Sequence, residues 1–231
     1  MFSTVVFSGV LLLCLSALVQ IGRMYYKGVT TAQTQQSARS LLDELSQSMQ
    51  FTGANIRGQR SLTGTAAPVG PTIAPQTNPT NGAIGFFCLG HTRYTFVIDR
   101  QQSSVNDGAN KKIKHALWAD EPGICDVTND TVANLYSAYP VDLTADIPST
   151  YNGRDLLSEN MRITRFSMAP LSDNSIWRIS LTVAYGDDDL LIVDAATPSR
   201  RVCKGGSSSA GSEFCAISEL STVVKRRISV Q

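Results

Sequence analysis

The first 22 residues form an uninterrupted apolar stretch, MFSTVVFSGVLLLCLSALVQIG, without Asp, Glu, Lys or Arg. About 20 helical residues at roughly 1.5 Å each cross the hydrocarbon core of a bilayer, so residues 1–22 are long enough to span it. The helical pattern continues to about Phe51, and the first proline is Pro68. We therefore predict one unbroken helix, which from Phe2 to Gln50 would be about 70 Å long.

Residues 23–60 are predicted to continue this helix as an amphipathic segment. Gly22 and Gly28 each weaken a helix by about 1 kcal/mol relative to Ala, which allows a bend or a locally looser helix near Tyr25 and Tyr26. Tyrosines commonly lie at the headgroup level of a bilayer. The predicted packing stripe consists of apolar residues that recur three and four positions apart: Ala38, Leu41, Leu42, Leu45 and Met49.

A loop rich in Pro, Thr and Gly follows at residues 61–82. No Asp, Glu, Lys or Arg occurs between Arg60 and Arg93, and prolines recur at positions 68, 71, 75 and 79. This composition predicts an extended, partly polyproline-like loop. Loops of this length are more often functional surfaces or linkers than plain connections.

Residues 83–231 are predicted to form one mainly β domain, which together with the helix gives an α+β fold class. The strongest signal is a hairpin between strands at Met161–Leu171 and Ser175–Gly186, because Ser-Asp-Asn at 172–174 has turn chemistry. Asp155–Asn160 fits a single helical turn, and Ile217–Val230 fits a closing strand or a short helix. The predicted strands are Gly85–Gly90, Arg93–Asp99, Lys112–Asp120, Met161–Leu171 and Ser175–Gly186.

The apolar N-terminal stretch has a second interpretation as a signal peptide. The apolar region of a signal peptide is usually about 7–15 residues, follows positive charge and ends at a small-x-small cleavage site. Only Met1 precedes this run, and Arg23 follows it, so retention as an anchor is favoured. By the positive-inside rule, Arg23 and Lys27 would place the C-terminal part in the cytoplasm.

The five cysteines favour the opposite side of the membrane. Cys14 lies in the apolar run, and Cys88, Cys125, Cys203 and Cys215 follow it without CxxC spacing, which favours two disulfides over a zinc site. Of three possible pairings, Cys88–Cys125 and Cys203–Cys215 close the smaller loops; four reduced, partly buried cysteines are the alternative. Because disulfides require an oxidising compartment, we give the cysteines more weight than the charges.

No catalytic constellation is evident in the sequence. His91 and His115 lack a nearby nucleophile or a partner at metal-ligand spacing, and no phosphate-binding loop or hydrolase motif occurs. Asp187, Asp188 and Asp189 are weak calcium candidates, although such a run is more often a solvated hairpin tip. A formal net charge of +1 does not indicate a nucleic-acid-binding surface. We expect no enzyme activity, no cofactor, no small-molecule substrate and no nucleic-acid contact.

The chain resembles type IV pilins and the similar type II secretion pseudopilins. ARSLLDELSQSMQFTG (Ala38–Gly53) is similar to the end of the long helix in the larger minor pilins, and CKGGSSSAGSEFCAISELSTVVKRRI (Cys203–Ile228) resembles their C-terminal disulfide loop and closing segment. The resemblance implies a long N-terminal helix packed on an antiparallel sheet. It also implies a structural subunit that the helix anchors in the cytoplasmic membrane before it enters a filament core. The implied partners are other pilin subunits, the membrane assembly machinery and, before assembly, the lipid bilayer.

The sequence departs from the family at its N-terminus. The basic leader, the Gly-Phe-type cleavage junction and the glutamate at the fifth mature position are not visible, and MFSTVVFSGVLLL resembles the middle of the hydrophobic helix. We hypothesise that Met1 is internal and that roughly 15–25 residues precede it, about a leader plus the first turns of a membrane-spanning helix. The rival functions are a single-pass anchored extracellular binding domain and a membrane-tethered hydrolase.

Overall fold

The computed structural model describes residues 2–51, 56–58, 76–78, 82–103, 112–113, 115–121, 153–172, 175–195, 200–204 and 211–227. An α-helix, α1, spans Phe2–Phe51, a length of 50 residues. The helix continues without interruption through Gly22 and Gly28. The predicted helix end near Phe51 is confirmed, whereas Ile56–Gly58, within the predicted continuation to residue 60, form a strand instead.

The described remainder of the chain is mainly β, which confirms the α+β class. A short 3₁₀ turn, Ser212–Phe214, precedes the last strand. The strands are β1 (Ile56–Gly58), β2 (Gln76–Asn78), β3 (Gly82–Leu89), β4 (Thr92–Val97), β5 (Gln101–Gln102), β6 (Lys112–Ile113), β7 (Leu117–Asp120), β8 (Arg154–Asp155), β9 (Met161–Ser172), β10 (Ile176–Tyr185), β11 (Leu191–Val193), β12 (Arg201–Cys203) and β13 (Ala216–Lys225).

Two antiparallel sheets form the body of the domain. The larger has the order β1-β3-β4-β7-β8, and β2 also pairs with β3. The smaller has the order β13-β10-β9, and an isolated parallel bridge between Ile98 and Ile163 links it to the segment after β4. The helix packs against β13 and β10, so the smaller sheet carries the second half of α1.

An aromatic cluster fills the core between the two sheets. Phe87 of β3 stacks on Tyr94 of β4 and on Phe166 of β9, with ring centroids 5.1 Å and 5.4 Å apart. Phe96 and Phe166 lie closer still, at 4.7 Å between centroids. A Cβ atom at Gly85 would lie 2.2 Å from Cζ of Phe96, so only glycine fits opposite this ring.

The strongest strand predictions agree with the structure, and one helix prediction is wrong. β9 and β10 pair in antiparallel register, and Ile217–Val230 contributes most of strand β13. Asp155–Asn160 contains no helical turn: Asp155 ends β8, and the chain turns at residues 159–160, where Asn160 has a positive φ of 63°. Asp155 pairs with Trp118 of β7, and the Leu156 N–H bonds to the carbonyl oxygen of Leu117, so this segment begins as sheet rather than helix.

The predicted loop at 61–82 lies mostly outside the described residues. Its described part includes β2, which pairs with the start of β3, so this portion is strand rather than loop. The turn residues 173–174 also lie outside the described part of the chain. Cys88 is disulfide-bonded, and its predicted partner, Cys125, lies outside the described residues.

Candidate functional site: an exposed apolar helix and its junction with the β domain

The first half of α1 is apolar and does not pack against the rest of the described chain. Every side chain from Ser3 to Ile21 is exposed. Soluble proteins rarely expose an apolar surface of this extent. The helix is long and apolar enough to span a membrane. Its large exposed side chains are Val5, Val6, Phe7, Val10, Leu11, Leu12, Leu13, Leu15, Leu18, Val19 and Ile21.

The second half of α1 is buried along one face. Thr30 and Thr34 precede this face and are buried too, and Thr34 Oγ1 donates to the carbonyl oxygen of Thr30 at 2.7 Å. The surrounding hydrophobic core includes side chains from both sheets. One helix therefore has two different environments, an exposed apolar half and a packed half. The buried residues of the stripe are Ala38, Leu41, Leu42, Leu45 and Met49.

The junction between the two halves is formed by Arg23, Tyr26 and Thr30 of α1 with Glu213 and Phe214 of the 3₁₀ turn. Thr30 Oγ1 lies 3.0 Å from the carbonyl oxygen of Glu213, within hydrogen-bonding distance. Arg23 Nε lies 3.8 Å from Glu213 Oε1, and the rings of Tyr26 and Phe214 are 6.0 Å apart. The β domain thus contacts the helix directly where the apolar run ends.

The disulfide Cys203–Cys215 holds the 3₁₀ turn against the rest of the domain. It joins the end of β12 to the residue after the turn, across a sequence separation of 12. Gly186 lies beneath the turn with a φ of +126°, and a Cβ atom there would lie 2.9 Å from the carbonyl oxygen of Phe214. This close approach and the left-handed backbone require glycine. The predicted Cys203–Cys215 pair is therefore a structural part of the junction.

The predicted histidines have separate environments. His91 is an exposed turn residue between β3 and β4. His115 is buried, with Nδ1 2.8 Å from Asp155 Oδ1, and its ring and that of Trp118 are in a T-shaped arrangement with centroids 5.8 Å apart. Among the described residues, no group of three or more His, Cys, Asp and Glu side chains is arranged to hold a metal ion.

The aspartates of the 187–189 run contact neighbouring polar side chains. Asp188 Oδ1 pairs with Nη1 of the buried Arg162, and Asp187 Oδ1 accepts a hydrogen bond from Gln101 Nε2 at 3.0 Å. Asp189 is exposed. The guanidinium of Arg162 thus supplies the positive charge that faces Asp188.

Sequence reasoning missed Arg162, a buried charge with several polar partners. Its Nη2 donates to the carbonyl oxygen of Gly186 at 2.9 Å, and its Nη1 lies 3.8 Å from Asp99 Oδ1. Asp99 in turn pairs with Arg201. The predicted β9–β10 hairpin could have indicated the contact with Asp188. Arg162 pairs with Ala184 across this hairpin, only a few residues before the acidic run.

Tyr94 links the far end of the helix to the larger sheet. Its hydroxyl lies 2.8 Å from Ser48 Oγ, and the ring is buried. Burial raises the pKa of the Tyr94 phenol above its ordinary value of 10.0, although the hydrogen bond from Ser48 opposes this shift. Desolvation disfavours the charged phenolate, which explains the direction.

Replacing Tyr94 with Phe is expected to lower the free energy of unfolding by about 1 kcal/mol at neutral pH, the value of one hydrogen bond. Because the folded-state pKa is raised, the stabilisation from the neutral phenol is complete below about pH 10 and is lost as the pH rises above that value. The variant should therefore lose less stability than the parent between pH 9 and about 11 in urea titrations. An identical alkaline loss in both proteins would contradict this role. Tyr25→Phe, at an exposed helix position, is the matched control at neutral pH.

Comparison of the chain with protein-family models, curated proteins and solved structures found no match. A long N-terminal apolar helix packs on antiparallel β-sheets, and this arrangement is consistent with a pilin-like fold.

Proposed function

We propose that this chain is a structural subunit of a type IV pilus or a related filament, of the minor-pilin kind. The supporting observation is the division of α1 into a wholly exposed apolar half and a half buried on the β domain. A helix built this way can exchange one apolar environment for another. It would lie in lipid before assembly and among neighbouring apolar helices afterwards.

The physical cost of this exchange is small because the apolar surface remains out of water throughout. Helix association in an apolar medium is driven by van der Waals packing and small residues rather than by the hydrophobic effect. Gly9 is open to such packing, since a Cβ atom there would meet nothing within 4 Å. The partners in this proposal are other pilin subunits and the membrane assembly machinery.

The proposed location is a single pass through the cytoplasmic membrane, with the β domain outside the cytoplasm, and later the pilus at the cell surface. The disulfide Cys203–Cys215 supports this side because disulfides persist in oxidising compartments.

We propose no catalytic role. The partners of His115 and Asp188 are Asp155 and Arg162, contacts suited to holding strands and loops together.

The direct test is fractionation of the cells that encode this chain. Mechanical shearing releases filaments and leaves the membrane intact, and an antibody to the β domain then locates the protein. Recovery in the sheared filament fraction, together with a membrane pool, supports a pilin-like subunit. Recovery in the membrane alone, as a monomer by crosslinking, would favour a single-pass anchored binding domain and contradict the filament proposal.

A charge in the apolar half should remove the protein from both fractions. An aspartate at the centre of a membrane-spanning helix costs about 2.5–3.5 kcal/mol in insertion experiments. We expect Leu12→Asp to be depleted from membranes and absent from filaments, as measured by immunoblotting. The control Gln36→Asp places the same charge on an exposed position of the packed half and should distribute like the parent. Equal distribution of both variants would contradict anchoring by residues 1–22.

A further inference from the structure

The junction lies close to the predicted end of the hydrocarbon layer. If the apolar run ends at Gly22, then Tyr26 lies four residues further on, or about 6 Å along the helix axis. The polar interfacial layer on each side of the bilayer is about 5–7 Å thick. The contact between Tyr26 and Phe214 therefore falls at the level of the headgroups.

The β domain presents apolar side chains at this same end. Phe214 is 48% exposed although it lies beside Tyr26, and Tyr25 is 69% exposed. On β11, Leu191 packs inward with Cys215, while Ile192 and Val193 remain 42% and 46% exposed. We call the surface formed by Tyr25, Tyr26 and Phe214 the junction end, and Ile192 lies near it, since its neighbour Leu191 packs with Cys215.

The arginines around the junction end are paired with carboxylates. Arg23 faces Glu213, Arg162 faces Asp188 and Arg201 faces Asp99. These pairs reduce the positive charge available to attract anionic headgroups. Lys27 follows Tyr26 on α1 and adds a positive charge there, but the side chains that the junction end exposes are mainly aromatic, which suits the headgroup layer of a bilayer whatever its charge.

We propose that, before assembly, the β domain rests on the bilayer surface through the junction end, with Phe214 inserted into the headgroup layer beside Tyr25 and Tyr26. The inference rests on the proposed membrane anchoring and adds a second contact to it. The occupant of the surface is the lipid interface. The domain contacts α1 only a few residues beyond Gly22, through Glu213 and Phe214, so the anchored helix itself brings Phe214 to this depth.

Tryptophan quenching in lipid vesicles tests the depth of Phe214 in the full chain. Phosphatidylcholine vesicles with bromine atoms on the upper acyl chain quench a tryptophan near the interface, and unbrominated vesicles give the reference. The reporter is Phe214→Trp, with Ile192→Trp as a second reporter should the first variant not fold. His91→Trp is the membrane-distal control, since it neighbours β4, whose Tyr94 contacts Ser48 near the far end of α1. Trp118 and Trp177 are buried, and their emission is subtracted with the parent protein.

We expect Phe214→Trp to lose much of its added emission in brominated vesicles, while His91→Trp loses none. Quenching at the junction end no stronger than at His91 would overturn the proposal. Quenching that appears only when phosphatidylglycerol is added would also overturn it, because the contact would then be electrostatic.

Leu12→Trp separates the two levels of inference. If Leu12→Trp is quenched and the junction reporters are not, the anchor stands and only the surface contact fails. If Leu12→Trp is not quenched, anchoring itself fails, and the surface contact fails with it.

Discussion

Replacing Asp120 with Ala is expected to lower the free energy of unfolding by about 3–5 kcal/mol, the largest effect we expect from a single substitution. Asp120 is directly opposite Arg93 in the β4–β7 register. Arg93 Nε donates to Asp120 Oδ1 at 3.0 Å, Nη2 donates to Oδ2 at 2.5 Å, and both side chains are buried. Without the carboxylate, the guanidinium would remain buried without its charge partner. Removing one member of a buried ion pair is therefore far more costly than the net value of the pair.

Chemical denaturation of the full chain in detergent micelles, followed by tryptophan fluorescence, measures this loss. Glu121→Ala is the matched control, because Glu121 is the adjacent acidic residue and is exposed; it should change stability by less than about 0.5 kcal/mol. The double variant Arg93→Met with Asp120→Leu should recover much of the loss, since no unpaired charge remains. A loss of less than about 1 kcal/mol for Asp120→Ala would show that water reaches Arg93 and would contradict the buried pair.

Replacing Leu45 with Ala should cost about 2–5 kcal/mol, whereas the same change at Leu12 should leave the unfolding of the β domain unaltered. Leu45 is 1% exposed in the core, while Leu12 is 69% exposed in the same helix. The loss at Leu45 combines the lost transfer free energy with the cavity left behind. Because helix propensity differs little between Leu and Ala, the contrast isolates packing.

The same denaturation experiment measures both variants. Membrane recovery of Leu12→Ala should also be preserved, since one alanine leaves the run long and apolar. Equal losses at the two positions would show that the apolar half also packs on protein, which would contradict the division of α1 into two environments.

The elements that the sequence predicted well are those with local signals. The charge-free run and the three- and four-residue spacing of Leu41, Leu45 and Met49 define α1, and alternation in Ile176–Tyr185 defines β10. The disulfide Cys203–Cys215 followed from the small loop that it closes. Each of these patterns lies within one element or between neighbours in sequence.

The features that the sequence did not predict depend on contacts between distant segments. Thr30 and Glu213 are 183 residues apart, and Arg162 and Asp99 belong to different sheet regions. Periodicity cannot place such pairs, because it shows which face of an element is buried but not which element covers it. The wrong helical turn at Asp155–Asn160 has the same cause, because Asp155 pairs with Trp118 of β7 in a distant part of the sequence.

The continuity of α1 through Gly22 and Gly28 also fixes the rotation of the β domain relative to the apolar half of the helix. Each residue of an α-helix turns the chain by about 100° and advances it by about 1.5 Å. The number of residues between the apolar run and Thr30, the first buried position of α1, therefore sets how the β domain is rotated about the helix axis. Because α1 is continuous, whatever holds its apolar half also determines which way the surfaces of the β domain point.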